Sequence, residues 1–223
     1  MKIRSLLLPL VTLLLASGAN AGLVNGGFEL PILGTTSYSI MTASSIPGWR
    51  TTATDDKIEI WSQSFNGVTS YEGNQHAELN ANLVSTLYQD VAGIAAGSIV
   101  GYQFAHRGRS GVDTMRFTLT SLGGDGLFGT TDDTQLFTQL VSDGNSAWGF
   151  YTGTGIVAMG ETVRFSFISV SAFGGNQSIG NFLDAADFGV GIGGGSDVPE
   201  PGSLALLGLG LAGLAAARRR KSN

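Results

Sequence analysis

Apolar and polar positions alternate with a period of two through much of residues 22–191, the spacing of a strand with one buried face. Ser98–His106 sets Val100, Tyr102, Phe104 and His106 on one face. Thr114–Thr120 groups Met115, Phe117 and Leu119 opposite Arg116, and Thr162–Val170 groups Val163, Phe165 and Phe167 opposite Arg164. Lys57–Ile60 alternates and ends in Trp61. Shorter runs at Gly22–Phe28, His76–Asn80, Thr86–Val91, Thr134–Leu140, Ala147–Thr152 and Phe182–Val190 bring the total to about ten predicted strands. Long amphipathic helices are absent, and a single short helix is predicted at Asn82–Ser85. Strands with no helices between them pair antiparallel, so the predicted class is all-β. A two-sheet jelly-roll β-sandwich suits the roughly 170 residues involved.

The two ends break this pattern. Lys2 and Arg4 precede an apolar stretch, Leu6–Ala16, and Ala19-Asn20-Ala21 gives a small-x-small cleavage pattern. Residues 1–21 therefore read as a signal peptide for signal peptidase, since the stretch is too short for a span of about 20 residues. At the other end, Ile192–Asp197 opens a Gly-rich linker, here taken as 192–198, into a tail at 199–223. That tail holds Pro199, Glu200 and Pro201, an uncharged run at Gly202–Ala217, and the cluster Arg218, Arg219, Arg220 and Lys221. The run can enter a bilayer as a short helix with the basic cluster on the cytoplasmic side, either transiently at the inner membrane or as a plain anchor.

This order of Pro-Glu-Pro, apolar helix and Arg-rich end resembles the PEP-CTERM sorting signal of Gram-negative bacteria. The resemblance implies export through the inner membrane and processing by an exosortase. It also implies display at the cell surface or in an extracellular matrix rich in exopolysaccharide, as in a biofilm.

Charge and cysteine content narrow the function classes. Of the 12 basic residues six lie in the two ends, whereas all 17 acids fall between Glu29 and Glu200. Without the six basic residues of the two ends the charge balance is near −11 rather than −5, a poor match for nucleic acid, whose phosphates require Lys and Arg. There is no cysteine, which excludes disulfides, thiolate metal sites and cysteine nucleophiles.

Three groups of residues can carry chemistry. The first is at the ends of the domain. It opens with Asn25-Gly-Gly-Phe-Glu29, carries Gly48-Trp49 after a loop, and closes on Asn181–Gly189 with Asp184. This combination resembles the galactose-binding-like jelly roll of carbohydrate-binding modules. That resemblance implies a structural calcium ion held by Glu29 and Asp184. Ala185 stands where the family carries a second Asp, which weakens the implied site, and both acids can equally cap turns or face solvent. The second group is Asp125, Asp132 and Asp133 in the Gly-rich segment Gly123–Thr134. It lacks the spacing of an EF-hand loop and also suits a solvated hairpin tip.

The third group combines flat apolar faces with hydrogen-bonding groups, as sugar recognition requires. Trp61, together with Trp49, Tyr71 and Trp148, offers the faces. Gln75, His76, Glu78, Asn80, Arg107 and Arg109 offer the hydrogen bonds. The same tryptophans also suit a sandwich core, His106 suits a buried structural histidine, and the arginines suit ion pairs. Glu59, Glu72 and Glu78 can in principle form a carboxylate pair of the glycosidase type, though nothing in their spacing demands it, and no nucleophile motif is present. The sequence thus predicts an exported, non-catalytic protein that binds or organises polysaccharide. Its alternatives are a matrix protein acting through protein contacts and, further off, a glycan-active enzyme.

Overall fold

The computed structural model describes residues 22–34 and 36–193. The signal peptide, the tail residues Pro199–Arg220 and all but the start of the linker lie outside the described residues.

Eleven strands build the domain. They are β1 (Tyr38–Thr42), β2 (Arg50–Thr51), β3 (Lys57–Ser62), β4 (Gln75–Glu78), β5 (Thr86–Val91), β6 (Ile99–Arg107), β7 (Asp113–Ser121), β8 (Thr134–Asp143), β9 (Gly149–Val157), β10 (Val163–Ser171) and β11 (Phe182–Val190). One sheet has the order β1-β3-β4-β11-β6-β9 and the other β2-β5-β10-β7-β8. Each pairing is antiparallel. The architecture is the jelly-roll sandwich the alternation predicts.

The inward faces are those the alternation names. Phe117 pairs with Phe167, and Phe165 with Leu119. Across the sandwich Phe104 lies 5.0 Å from Phe117 and 5.1 Å from Phe167. All four phenylalanines are fully buried, and each contributes about 2 kcal/mol by leaving water.

Two expectations change. Gly22–Phe28 is loop rather than strand, because Asn25 and Phe28 take positive φ. The Asn25 amide accepts from Leu30 N–H and donates to Leu30 O, closing a turn. Asn82–Ser85 forms no helix; the short 3₁₀ turns are Ala43–Ser45, Phe65–Gly67 and Phe173–Gly175. The opening loop nonetheless packs tightly. Phe28 stacks on Trp49 at 4.6 Å, both are fully buried, and Trp49 Nε1 donates to Asn25 O. Trp49 is therefore a core residue and offers no face to a ligand. Where this loop meets the bulge of β11, a side chain at Gly26 would place its Cβ 1.7 Å from Ala186 O, so only glycine fits the close approach.

Candidate functional site

Alternation along β3 and β4 assigns two faces. Ile58, Ile60 and Ala77 enter the main core, so Glu59, Trp61, His76 and Glu78 stand on the opposite, outward face of the six-stranded sheet. Strand pairing then lines them up. Ile40, Glu59, Glu78, Phe182 and Arg107 form one cross-strand row, and Tyr38, Trp61 and His76 form the next.

This face does not lie open. Residues 63–74 fold over it as a strap, and Trp61, Val68 and Phe182 form a second apolar cluster with Phe65 and Trp148 against it. Trp148 Nε1 donates to Thr69 O, and Ser70 Oγ bonds His76 Nδ1. Asp184 Oδ2 accepts from the N–H groups of Tyr71 and Glu72, while Glu29 Oε1 accepts from those of Asn74 and Gln75. The two predicted calcium ligands thus both grip the C-terminal end of this strap, at Tyr71–Gln75.

Under the strap the polar side chains are dry. His76 and Glu78 are fully buried and Trp61 nearly so. Burial, helped by the charge of Arg107, pushes the His76 imidazole down to about 3, and its Nε2 has no partner. Burial first, and the facing Glu59 second, push the Glu78 carboxyl upward. Burial raises Glu59 as well, and Glu59 stands directly opposite Glu78 in the β3–β4 register. Arg109 compensates them. Its Nη1 donates to both Glu78 oxygens at 2.9 and 2.8 Å, and its guanidinium lies 4.8 Å from the Trp61 ring centre. Trp61 Nε1 donates to Glu59 at 2.7 Å, and Gly180 N–H to Glu78.

Of the sequence-predicted ligand residues, Trp61, His76, Glu78 and Arg109 are thus brought together. Arg107 joins their row, but its tip donates to Asn145 O and its Nε is buried without a partner. Gln75 is not brought to this face. It points the other way from β4, where its amide accepts from Leu33 N–H and donates to Phe28 O and Pro31 O. Its work is to tie down the opening segment.

Solvent reaches this cluster from one side. An open hollow of about 320 Å³ is lined by Tyr38, Phe65, Asn66, Asn82, Glu59 and Arg109, among others. Tyr38 is 49% exposed and its ring lies 5.6 Å from that of Phe65. Sequence reading missed Tyr38, Phe65, Asn66 and Asn82. They sit on an edge strand and in loops, and only the fold gathers them. Elsewhere on the sheet Tyr71 and Phe150 stack at 5.3 Å with nearly parallel rings, and both are exposed.

Asp125, Asp132 and Asp133 shape the β7–β8 turn. They accept N–H bonds from Leu127, from Gly124 and Asp125, and from Gly129 respectively. Among the described residues no three His, Asp or Glu side chains are arranged to hold one metal ion.

Residues 197–221 match the PEP-CTERM protein-sorting motif. The chain carries a protein-sorting signal at its C-terminal end. No curated protein matches the chain. Among solved structures, it is similar to the C-terminal family 22 carbohydrate binding module of Clostridium thermocellum Xyn10B, at 14% identity and TM-score 0.45, over 70% of this chain and 93% of that one. It is similar to a xylan-binding domain of Paenibacillus barcinonensis Xyn10C at 11% identity and TM-score 0.47, over 70% and 99%. A Stig cyclase from Fischerella sp. TAU matches at 18% identity and TM-score 0.49, over 76% and 96%. These likenesses are of fold.

Proposed function

We propose that the chain is an exported, non-catalytic glycan-binding protein that holds exopolysaccharide at the Tyr38 hollow, at the cell surface or in the extracellular matrix. The observation that carries this reading is the lining of the hollow. A half-exposed aromatic ring beside a second one offers a face for sugar C–H groups. Asn66, Asn82, Glu59 and Arg109 stand around it as hydrogen-bonding groups for hydroxyls. The sorting motif supports export, with an exosortase as the processing partner.

The carboxylate geometry favours binding over hydrolysis. Glycosidases hold their two carboxyls about 5 Å apart or more so that sugar or water fits between them. Glu78 is instead fully buried with both oxygens bonded to Arg109, which leaves no room for sugar or water beside it. A matrix role through protein contacts draws support from Leu127 and Phe128, which stand 63% and 56% exposed at the β7–β8 turn.

Calcium at Glu29 and Asp184 is part of the same proposal. Its support is that Asp184 is buried beside the Glu72 carboxylate and, among the described residues, no cation is paired to it. The side-chain donors are few, so main-chain carbonyls and water would supply most of the six to eight oxygens calcium takes.

The test is thermal unfolding of the full chain against xylan, cellulose and β-1,4-galactan fragments. A ligand of the folded state raises stability by about 2.7 kcal/mol at a hundredfold excess over its Kd. Tyr38→Ala is expected to abolish that shift without lowering the unliganded Tm. A shift untouched by Tyr38→Ala moves the site elsewhere, and no shift with any glycan leaves the matrix reading in its place.

A further inference from the structure

A second hollow adjoins the first. It measures about 310 Å³ and is lined by Asn80, Val84, Ser169, Val170, Asn176 and Gln177, with neighbouring residues. Its wall is shared. Asn80 faces this hollow while Ala81 and Asn82 face the Tyr38 hollow; Asn176 and Gln177 face this one while Ser178 and Ile179 face the other. Consecutive Cα atoms lie 3.8 Å apart, so the two hollows are neighbours that share a wall built from these two chain segments.

The hollow contains an unmet hydrogen-bonding demand. Asn80 is 1% exposed, and its Oδ1 is buried without a partner, while its Nδ2 makes only a long contact, 3.4 Å, to Ile179 O. A buried acceptor left unpaired is costly, and native structures rarely keep one without a reason. The surroundings are polar but already committed. Ser169 Oγ accepts from Asn181 Nδ2, and Asn176 Oδ1 accepts from Ser178 N–H and Oγ–H, which leaves the Asn176 amide N–H groups free to donate. Val84 and Val170, 53% and 46% exposed, supply an apolar rim. An acceptor at the floor, donors at the side and an apolar rim fit a neutral polyol, with a hydroxyl hydrogen meeting Asn80 Oδ1.

We propose that this hollow is a second subsite of the glycan site, taking the sugar unit that follows the one held at Tyr38 over the Asn80–Asn82 and Gln177–Ile179 wall. The inference rests on the glycan-binding reading above. It makes the protein a reader of chain length, since a short oligosaccharide fills one hollow and a longer one fills both.

The experiment is calorimetric titration of the full chain with xylo-, cello- and β-1,4-galacto-oligosaccharides of two to six units. Affinity is expected to rise about tenfold as the chain becomes long enough to add the second set of hydrogen bonds. Val84→Trp, which fills the hollow from an exposed position, and Asn80→Ala are both expected to remove that rise while leaving the shortest binding oligosaccharide unchanged. The exposed Val84 position keeps the test valid if Asn80→Ala lowers stability. A length-dependent rise that persists in Val84→Trp, or a wild-type affinity independent of length, overturns the subsite but leaves the Tyr38 site standing. No binding of any oligosaccharide overturns both.

Discussion

Asp184 gives the most direct route from structure to measurement. Burial pushes its carboxyl from 3.8 up to about 8, the nearby Glu72 charge adds to the rise, and the N–H groups of Glu72, Ala185 and Tyr71 oppose it. Between those values the folded chain holds a proton that the unfolded chain has released. The stability this proton confers is complete below pH 3.8 and is lost as pH climbs towards 8. His76 works in the opposite sense, because its folded value lies below its unfolded one, but it stops contributing above pH 6.5. The window from pH 6.5 to 8 therefore isolates the carboxyls. One group titrating over about 1.5 units at about 1.4 kcal/mol per unit gives a ceiling of about 2 kcal/mol, which is a fall in Tm of about 4–8 °C for a domain of this size. Glu78, raised by burial and by Glu59, adds to the fall. The assay is thermal unfolding by circular dichroism in EGTA at a series of pH values. Asp184→Asn is expected to lower Tm overall, since its amide cannot accept from every N–H group the carboxylate holds, and to flatten the profile. Calcium binding there would flatten the wild-type profile and leave that of the variant unaltered. A wild-type Tm that is constant or rises from pH 6.5 to 8 refutes the assignment, as does a slope that survives intact in Asp184→Asn.

Arg109→Met removes the cation from a fully buried Glu78 and is expected to cost about 3 kcal/mol or more in urea unfolding. Adding Glu78→Gln to that variant should recover part of the loss, and a double variant no more stable than the single one argues that the ion pair is not what Arg109 provides. Mass spectrometry of the exported protein should find a chain that begins at Gly22 and lacks Arg218–Asn223; an intact basic terminus removes the exosortase from the proposal.

The parts of this molecule that were legible in the sequence are those governed by a period of two. Phe117, Phe165 and Phe167 fell on inward faces because alternation alone decides which side of a strand a residue occupies. The same rule contained a warning about the site. Gln75 and His76 are neighbours on one strand, so they cannot both serve one face, and the structure sends Gln75 inward to hold Phe28, Pro31 and Leu33. Glu59 with Trp61, and His76 with Glu78, could be grouped on a face from spacing, but not joined to each other. Their meeting depends on β3–β4 register, which the hydrophobic pattern alone leaves open when polar residues occupy the outward face. The strap was illegible for a different reason. The end of the strap is tied down by the main-chain N–H groups of Tyr71, Glu72 and Asn74, bonded to Asp184 and Glu29, and a backbone donor has no signature in the sequence. The carboxylates at the two ends of the domain did stand out, but only the fold shows that they converge on this loop. Trp61, His76 and Glu78, which stand out in the sequence, are buried, and Tyr38, Asn66 and Asn82, which do not, meet solvent in front of them. A mutational scan guided by sequence alone would therefore measure stability at Trp61 and Glu78 and read it as loss of binding, whereas Tyr38→Ala separates the two.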